Sequence, residues 1–210
     1  LAAGSLLTMK KRSAIRLIAT SALFAGIGGL LSACSESKPQ FSSVDVTGVT
    51  YAKDFELTDH NGQVRHLTDF KGKVVVMFFG YTQCPDVCPT ALARASAVMQ
   101  QLGTDAAQVQ LLFVTVDPER DKPELLRDYM AAFDPSFMAL TGNAEQIKTA
   151  ADEFRVYYKK VPTGSSYTMD HTAGTYVFDA EGKVRLFVRY GSGAEALRHD
   201  LKLLLAESPA

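Results

Sequence analysis

Apolar and polar positions divide the chain into short runs of two different periods. Residues 74–79 are a continuous apolar run, β-branched and aromatic, between Gly72 and Gly80; they predict a buried central strand. Residues 91–102 are rich in helix formers and predict a helix. Residues 109–116 repeat the buried-strand pattern. Upstream, residues 51–57 and 63–67 flank Asn61-Gly62, which predicts a β-hairpin. Downstream, Asp121 with Glu124 three residues on reads as a capping box for a helix over 123–133. A short strand near 137–140 follows, then a helix capped by Thr141 or Asn143 and running to about 154. Residues 155–160 and 166–169 flank Pro162-Thr163-Gly164 as an inserted hairpin or loop. Strands over 172–178 and 183–190 pair across 179–182, and residues 194–205 close the chain as an amphipathic helix with Leu197, Leu201, Leu204 and Leu205 on one face. Periodicity alone implies one α/β domain. A βαβ half followed by a ββα half, with thiols at the first strand-to-helix turn, narrows this to a thioredoxin-like architecture.

Those thiols lie in Tyr81-Thr82-Gln83-Cys84-Pro85-Asp86-Val87-Cys88-Pro89-Thr90. Pro89 has no N–H and fits only the first turn of the following helix, so Asp86 is the expected N-cap and Cys88 belongs to that turn. Unpaired amides and the positive end of the helix dipole favour thiolate there. Thiolate attacks disulfides and binds soft metals. The alternative is a structural disulfide or a pair of idle buried thiols.

Composition adds an export signal. Lys10, Lys11, Arg12 and Arg16 precede an apolar stretch over 17–31, and no acidic residue occurs before Glu36. This is the pattern of a signal peptide; the apolar stretch is short for a bilayer span, although an uncleaved anchor stays open. Leu31-Ser32-Ala33-Cys34 looks like a bacterial lipobox, which makes Cys34 the candidate lipidated residue, against a chance cysteine after an ordinary signal. Residues 1–34 are thus read as the leader, with translation starting at Met9, residues 35–43 as a linker and 44–210 as the working domain. The whole chain holds 22 basic and 23 acidic residues; the leader holds four basic ones and no acid, which leaves the exported part at −5. No basic stripe remains, which argues against nucleic acid as a partner. Cys84 and Cys88 are then the remaining thiols, and an oxidising compartment must either join them or keep them reduced by a dedicated system.

The segment from Gly80 to Pro89 resembles the signature of the Sco/SenC family, which includes the bacterial proteins called PrrC. Val114-Thr115-Val116-Asp117-Pro118-Glu119-Arg120-Asp121 resembles that family's strand-ending Asp-Pro-x-Arg-Asp, Phe137-Met138-Ala139-Leu140-Thr141-Gly142 its next landmark, and Asp170-His171-Thr172 the segment holding its third metal ligand. The resemblance spans the whole exported domain. It implies a thioredoxin-like fold, one copper ion per chain (Cu(I) or Cu(II)) held by Cys84, Cys88 and His171, and help in assembling the copper centre of cytochrome c oxidase. It implies as partners the copper-binding subunit of the oxidase and an upstream copper donor or thiol reductant. The expected location is the bacterial cell envelope, membrane-anchored with the domain in the periplasm. One departure is Gln83, where many relatives carry His.

Two thiolates and one imidazole make a soft three-coordinate set that suits Cu(I), and Cu(II) with a further oxygen donor; a structural zinc site normally has four protein ligands. Asp117 ends a strand, where it either contacts the metal site or a partner or simply forms the Asp-Pro turn. Asp170 either orients His171 as an acceptor or is simply exposed. Met169 offers a thioether on the same side of the segment, or core packing. His60, His66 and His199 read as surface histidines. Three functions remain open. A metallochaperone uses all three donors. A membrane-tethered thiol–disulfide oxidoreductase reducing the oxidase subunit's cysteines uses Cys84 and Cys88 as its catalytic pair. A peroxidase would attack through Cys84, and has only Arg94 near the loop as support.

Overall fold

In the computed structural model, which describes residues 40–208, the chain divides at Gln40 into two units, and the second holds all the described residues. The leader and most of the linker lie outside the described residues. Within the second unit, the strands β1 (Val44–Asp45), β2 (Leu57–Asp59), β3 (Val64–Arg65), β4 (Val74–Gly80), β5 (Val109–Thr115) and β6 (Met138–Thr141) belong to one sheet. A separate two-stranded sheet is formed by β7 (Tyr158–Thr163) and β8 (Ser166–His171). The strands β9 (Gly174–Phe178) and β10 (Val184–Arg189) return to the first sheet, whose order is β1-β10-β9-β4-β5-β6-β2-β3. Four α-helices accompany them among the described residues: α1 (Val87–Leu102), α2 (Pro123–Ala131), α3 (Ala144–Glu153) and α4 (Ala194–Glu207).

Every residue of β4 and of β5 is buried, as a strand covered on both faces requires. β4 pairs parallel with β5 and antiparallel with β9, so the turn at its carboxyl end lies mid-sheet. Here α1 begins. The core continues through Phe79, Phe113, Phe154 and Phe178, all at or below 1% exposure.

The N-terminal hairpin is shorter than the pattern predicts. Residues 51–56 form no strand, because the Asp54 carboxylate takes the amides of Phe55 (2.9 Å) and Leu67 (2.8 Å) that a ladder would otherwise use. β2 and β3 join across a turn in which Asp59 Oδ1 accepts from the amides of Asn61 and Gln63 (2.8 and 3.0 Å), and Gly62 takes φ +84°. Asn143 caps α3 as expected, in a reciprocal box with Gln146. The capping box assigned to Asp121 does not form. The N-cap of α2 is Lys122, and the buried Asp121 carboxylate instead collects Thr115 Oγ1 (2.6 Å), Thr82 Oγ1 (2.6 Å) and the Thr82 amide (3.1 Å). Three donors outweigh one helix amide.

The inserted hairpin is real and is the two-stranded sheet of β7 and β8, in register from Tyr158↔His171 to Thr163↔Ser166. Pro162 is tolerated because a two-stranded ribbon leaves one side of each strand unpaired. His171 is therefore the last residue of β8, and the next strand starts at Gly174 rather than Thr172.

Candidate metal centre

Cys84 sits in the turn after β4, Cys88 in the first turn of α1, and His171 at the end of β8; one ligand atom from each falls within 4.8 Å of the others. Cys88 Sγ and His171 Nε2 are 3.7 Å apart although 83 residues separate them. Both thiols are free; Cys84 is half-buried and Cys88 buried.

The local sequence explains each placement. Asp86 occupies the N-cap position, but its carboxylate takes no helix amide; it lies 3.4 Å from Thr90 Oγ1 and from the Tyr190 hydroxyl. The Cys88 amide instead donates to Cys84 Sγ at 3.5 Å, so a sulfur stands where a cap oxygen was expected. Gly80 makes room for the second sulfur: a Cβ there would lie 2.7 Å from Cys88 Sγ and 2.9 Å from the Phe113 ring. The His171 ring meets Phe78 and Tyr81 edge to face. Its Nδ1 lies 3.1 Å from the Thr172 carbonyl. A carbonyl only accepts, so Nδ1 carries the proton and Nε2 presents its lone pair to the sulfurs.

The electrostatics correct one expectation. Burial pushes the Cys88 thiol well above its usual range; the Tyr81 amide opposes this, while the neighbouring Cys84 and Asp121 add to it. Cys88 is a thiol until something positive replaces the proton, and the helix dipole alone does not make it a thiolate. Burial also lowers the His171 pKa, against its bond to Thr172 and the charge of Asp170. The imidazole is thus neutral at neutral pH, the form that binds metal.

The other candidates are placed as follows. Asp170 is exposed, and the Thr172 carbonyl rather than its carboxylate holds the imidazole. Asp117 is buried; its oxygens go to Arg120 Nε and to the Tyr167 hydroxyl (2.9 Å). Met169 packs into the core. His60 is half-buried, its Nδ1 accepting the Ala139 amide at 3.2 Å. His66 lies 3.7 Å from Asp54, and His199 lies 3.1 Å from Asp200. Arg94 donates to the Tyr190 carbonyl at 2.9 Å. The arginine that reaches the Cys loop is Arg120, whose Nη1 donates to Gln83 Oε1 at 3.0 Å. Sequence reasoning missed it, although it lies inside the Asp-Pro-Glu-Arg-Asp segment singled out above.

A mixed sheet carrying a dithiol at the turn after its central strand, with an imidazole folded over it, defines a thioredoxin-like protein able to hold a soft metal ion. The SCO1/SenC family model matches residues 45–206, and the chain belongs to that family. An SCO2-like protein of Rickettsia felis is 37% identical over 184 residues, covering 83% of this chain and 90% of the relative. Bradyrhizobium japonicum ScoI, solved with copper bound, is 42% identical with a TM-score of 0.68, covering 73% of this chain and 99% of that one. A SCO1/SenC family lipoprotein from Bacillus anthracis is 28% identical with a TM-score of 0.64, covering 73% and 94%.

Proposed function

We propose that this protein is a copper metallochaperone that serves assembly of the copper centre of cytochrome c oxidase. The observation that carries the reading is the donor set: two free sulfurs and an imidazole Nε2 within 4.8 Å, with Nδ1 already committed to a carbonyl. Cys84, Cys88 and His171 are the ligands, and copper is the cargo, one ion per chain. The copper-bound relative from Bradyrhizobium japonicum supports this choice of ion. A three-donor site with a half-buried sulfur at its rim suits a cargo that must leave again. The recipient is the copper-binding subunit of the oxidase, and the site is filled by an upstream copper donor. The protein is held at the membrane through lipidated Cys34, with its domain in the periplasm; the Bacillus anthracis lipoprotein supports an anchor of this kind.

A second reading has its own observation. Cys84 is half-buried and Cys88 buried, the unequal exposure of a dithiol that exchanges with a partner's disulfide through one sulfur and resolves through the other. The two roles are linked, since an oxidised pair binds no copper. The deciding experiment is copper content, by plasma spectrometry, of residues 40–210 loaded reduced or after full oxidation. One copper per chain is expected in the reduced protein and almost none in the oxidised one. Equal retention in both removes the thiolate site.

A further inference from the structure

The turn after β5 touches both segments that carry the donor atoms. Its Asp121 holds the amide and hydroxyl of Thr82, two residues before Cys84. Its Arg120 does more. Nη1 donates to Gln83 Oε1 in the Cys loop at 3.0 Å and to the Tyr167 carbonyl in β8 at 2.9 Å. Gln83 adjoins Cys84, and Tyr167 lies four residues before His171 on the same strand. The guanidinium carbon lies 3.7 Å from the Tyr167 ring centroid and 5.8 Å from that of Tyr81. Nε is held by Asp117, whose other oxygen accepts the Tyr167 hydroxyl at 2.9 Å. The planar fork is thus fixed from three sides, and its side chain is 17% exposed.

This matters because β7 and β8 share no strand pairing with the main sheet. Apart from the two residues that join His171 to β9, side chains hold the hairpin against the main sheet. A single bond between the Tyr81 hydroxyl and Thr168 Oγ1 (2.7 Å) is one strap, and the exposed Lys160–Glu119 pair ties the hairpin to the same turn. Arg120 joins the Cys loop and the hairpin through one nitrogen.

We propose that Arg120 is a positioning residue that clasps the His171 hairpin to the Cys84 loop and so sets the geometry of the site. The clasp itself is independent of the cargo; its effect on copper rests on the metallochaperone reading. The test begins with the reduced, metal-free full chain, where amide hydrogen exchange is read segment by segment. Arg120→Ala removes both bonds, and exchange is expected to rise about tenfold at 166–171 and 81–86 while β4 and β5 stay protected. Arg120→Lys keeps the charge but not the fork, and should not restore protection. In the Cu(II)-loaded protein, the nitrogen splitting of the electron paramagnetic resonance signal should weaken or become heterogeneous in Arg120→Ala. Unchanged exchange at 166–171 overturns the proposal. So does an equal rise in β4 and β5, which would make Arg120 a general stabiliser. Should Arg120→Ala fail to fold, Gln83→Ala removes the loop-side bond from an exposed position; faster exchange at 81–86 supports the clasp, and no change there overturns it. A wild-type chain that takes up no copper, with the exchange pattern as expected, fails the metallochaperone reading and leaves the clasp standing.

Discussion

Gly80 is where the thiol site and the core compete for one volume. A methyl group there meets Cys88 Sγ at 2.7 Å and the Phe113 ring at 2.9 Å, and neither neighbour is the free end of a flexible chain. Gly80→Ala should therefore cost about 1–3 kcal/mol of overpacking, or roughly 2–4 °C of Tm per kcal/mol for a domain of this size. It should also push the buried sulfur outward, so that Cys88 alkylates faster than in the wild type. Calorimetry and timed alkylation check this, and an unchanged Tm with Cys88 still slow to react would mean that the site has slack. At this scale the sequence was readable where chemistry is local. Two cysteines four residues apart at the start of a helix, and a histidine in a recognisable segment, come together in the structure. Arg120 and Asp121 were not readable, because their partners Gln83, Tyr167 and Thr82 lie 37–47 residues away in sequence. An Asp two residues before a proline looks like a cap until the fold supplies three better donors.

The β2–β3 turn shows how one residue can decide an element. The Asp59 side chain is fully buried, with bonds to the Asn61 and Gln63 amides and to Arg65 Nε (2.8 Å). Burial pushes its pKa up, but the Gln63 amide, Arg65 and the Asn61 amide together pull it below the ordinary 3.8. The folded value is depressed, so the stabilisation is fully present above the ordinary carboxylate range and is lost as pH falls below about 4 through the folded value. Asp59→Asn should lower stability at pH 7 by about 1–3 kcal/mol and flatten the acid limb of the curve. Thermal unfolding of both proteins between pH 7 and pH 3 checks it; parallel acid limbs would assign that limb to other carboxylates. Elements with strong periods were legible: β4, β5, α1 and α4 fall within a few residues of expectation. Residues 51–56 misled because an alternating pattern says nothing of the Asp54 side chain that captures two of the backbone amides.

For the whole molecule, the class of fold was legible from the order of elements, but the order of strands was not. β1 pairs with β10 and β2 with β6, and nothing local in residues 44–45 or 57–59 names those partners. The expected leader, residues 1–34, lies outside the described residues. If Cys34 carries lipid, Cys34→Ala should leave an unprocessed precursor in the membrane or release the domain. Mass spectrometry of the native protein reads this directly, and an unmodified, uncleaved Cys34 would point to a helical anchor instead.

The wide interval between Cys88 and His171 also sets a timetable. Chains are made from the N-terminus, at about 5–20 residues per second. For the 83 residues that separate the two donors, a growing chain has its dithiol but lacks the imidazole. It also lacks β9, and so one of the two neighbours of the strand that leads into the dithiol. A growing chain therefore lacks the complete donor set, and the sheet beneath it, until synthesis has passed residue 171 and reached β9.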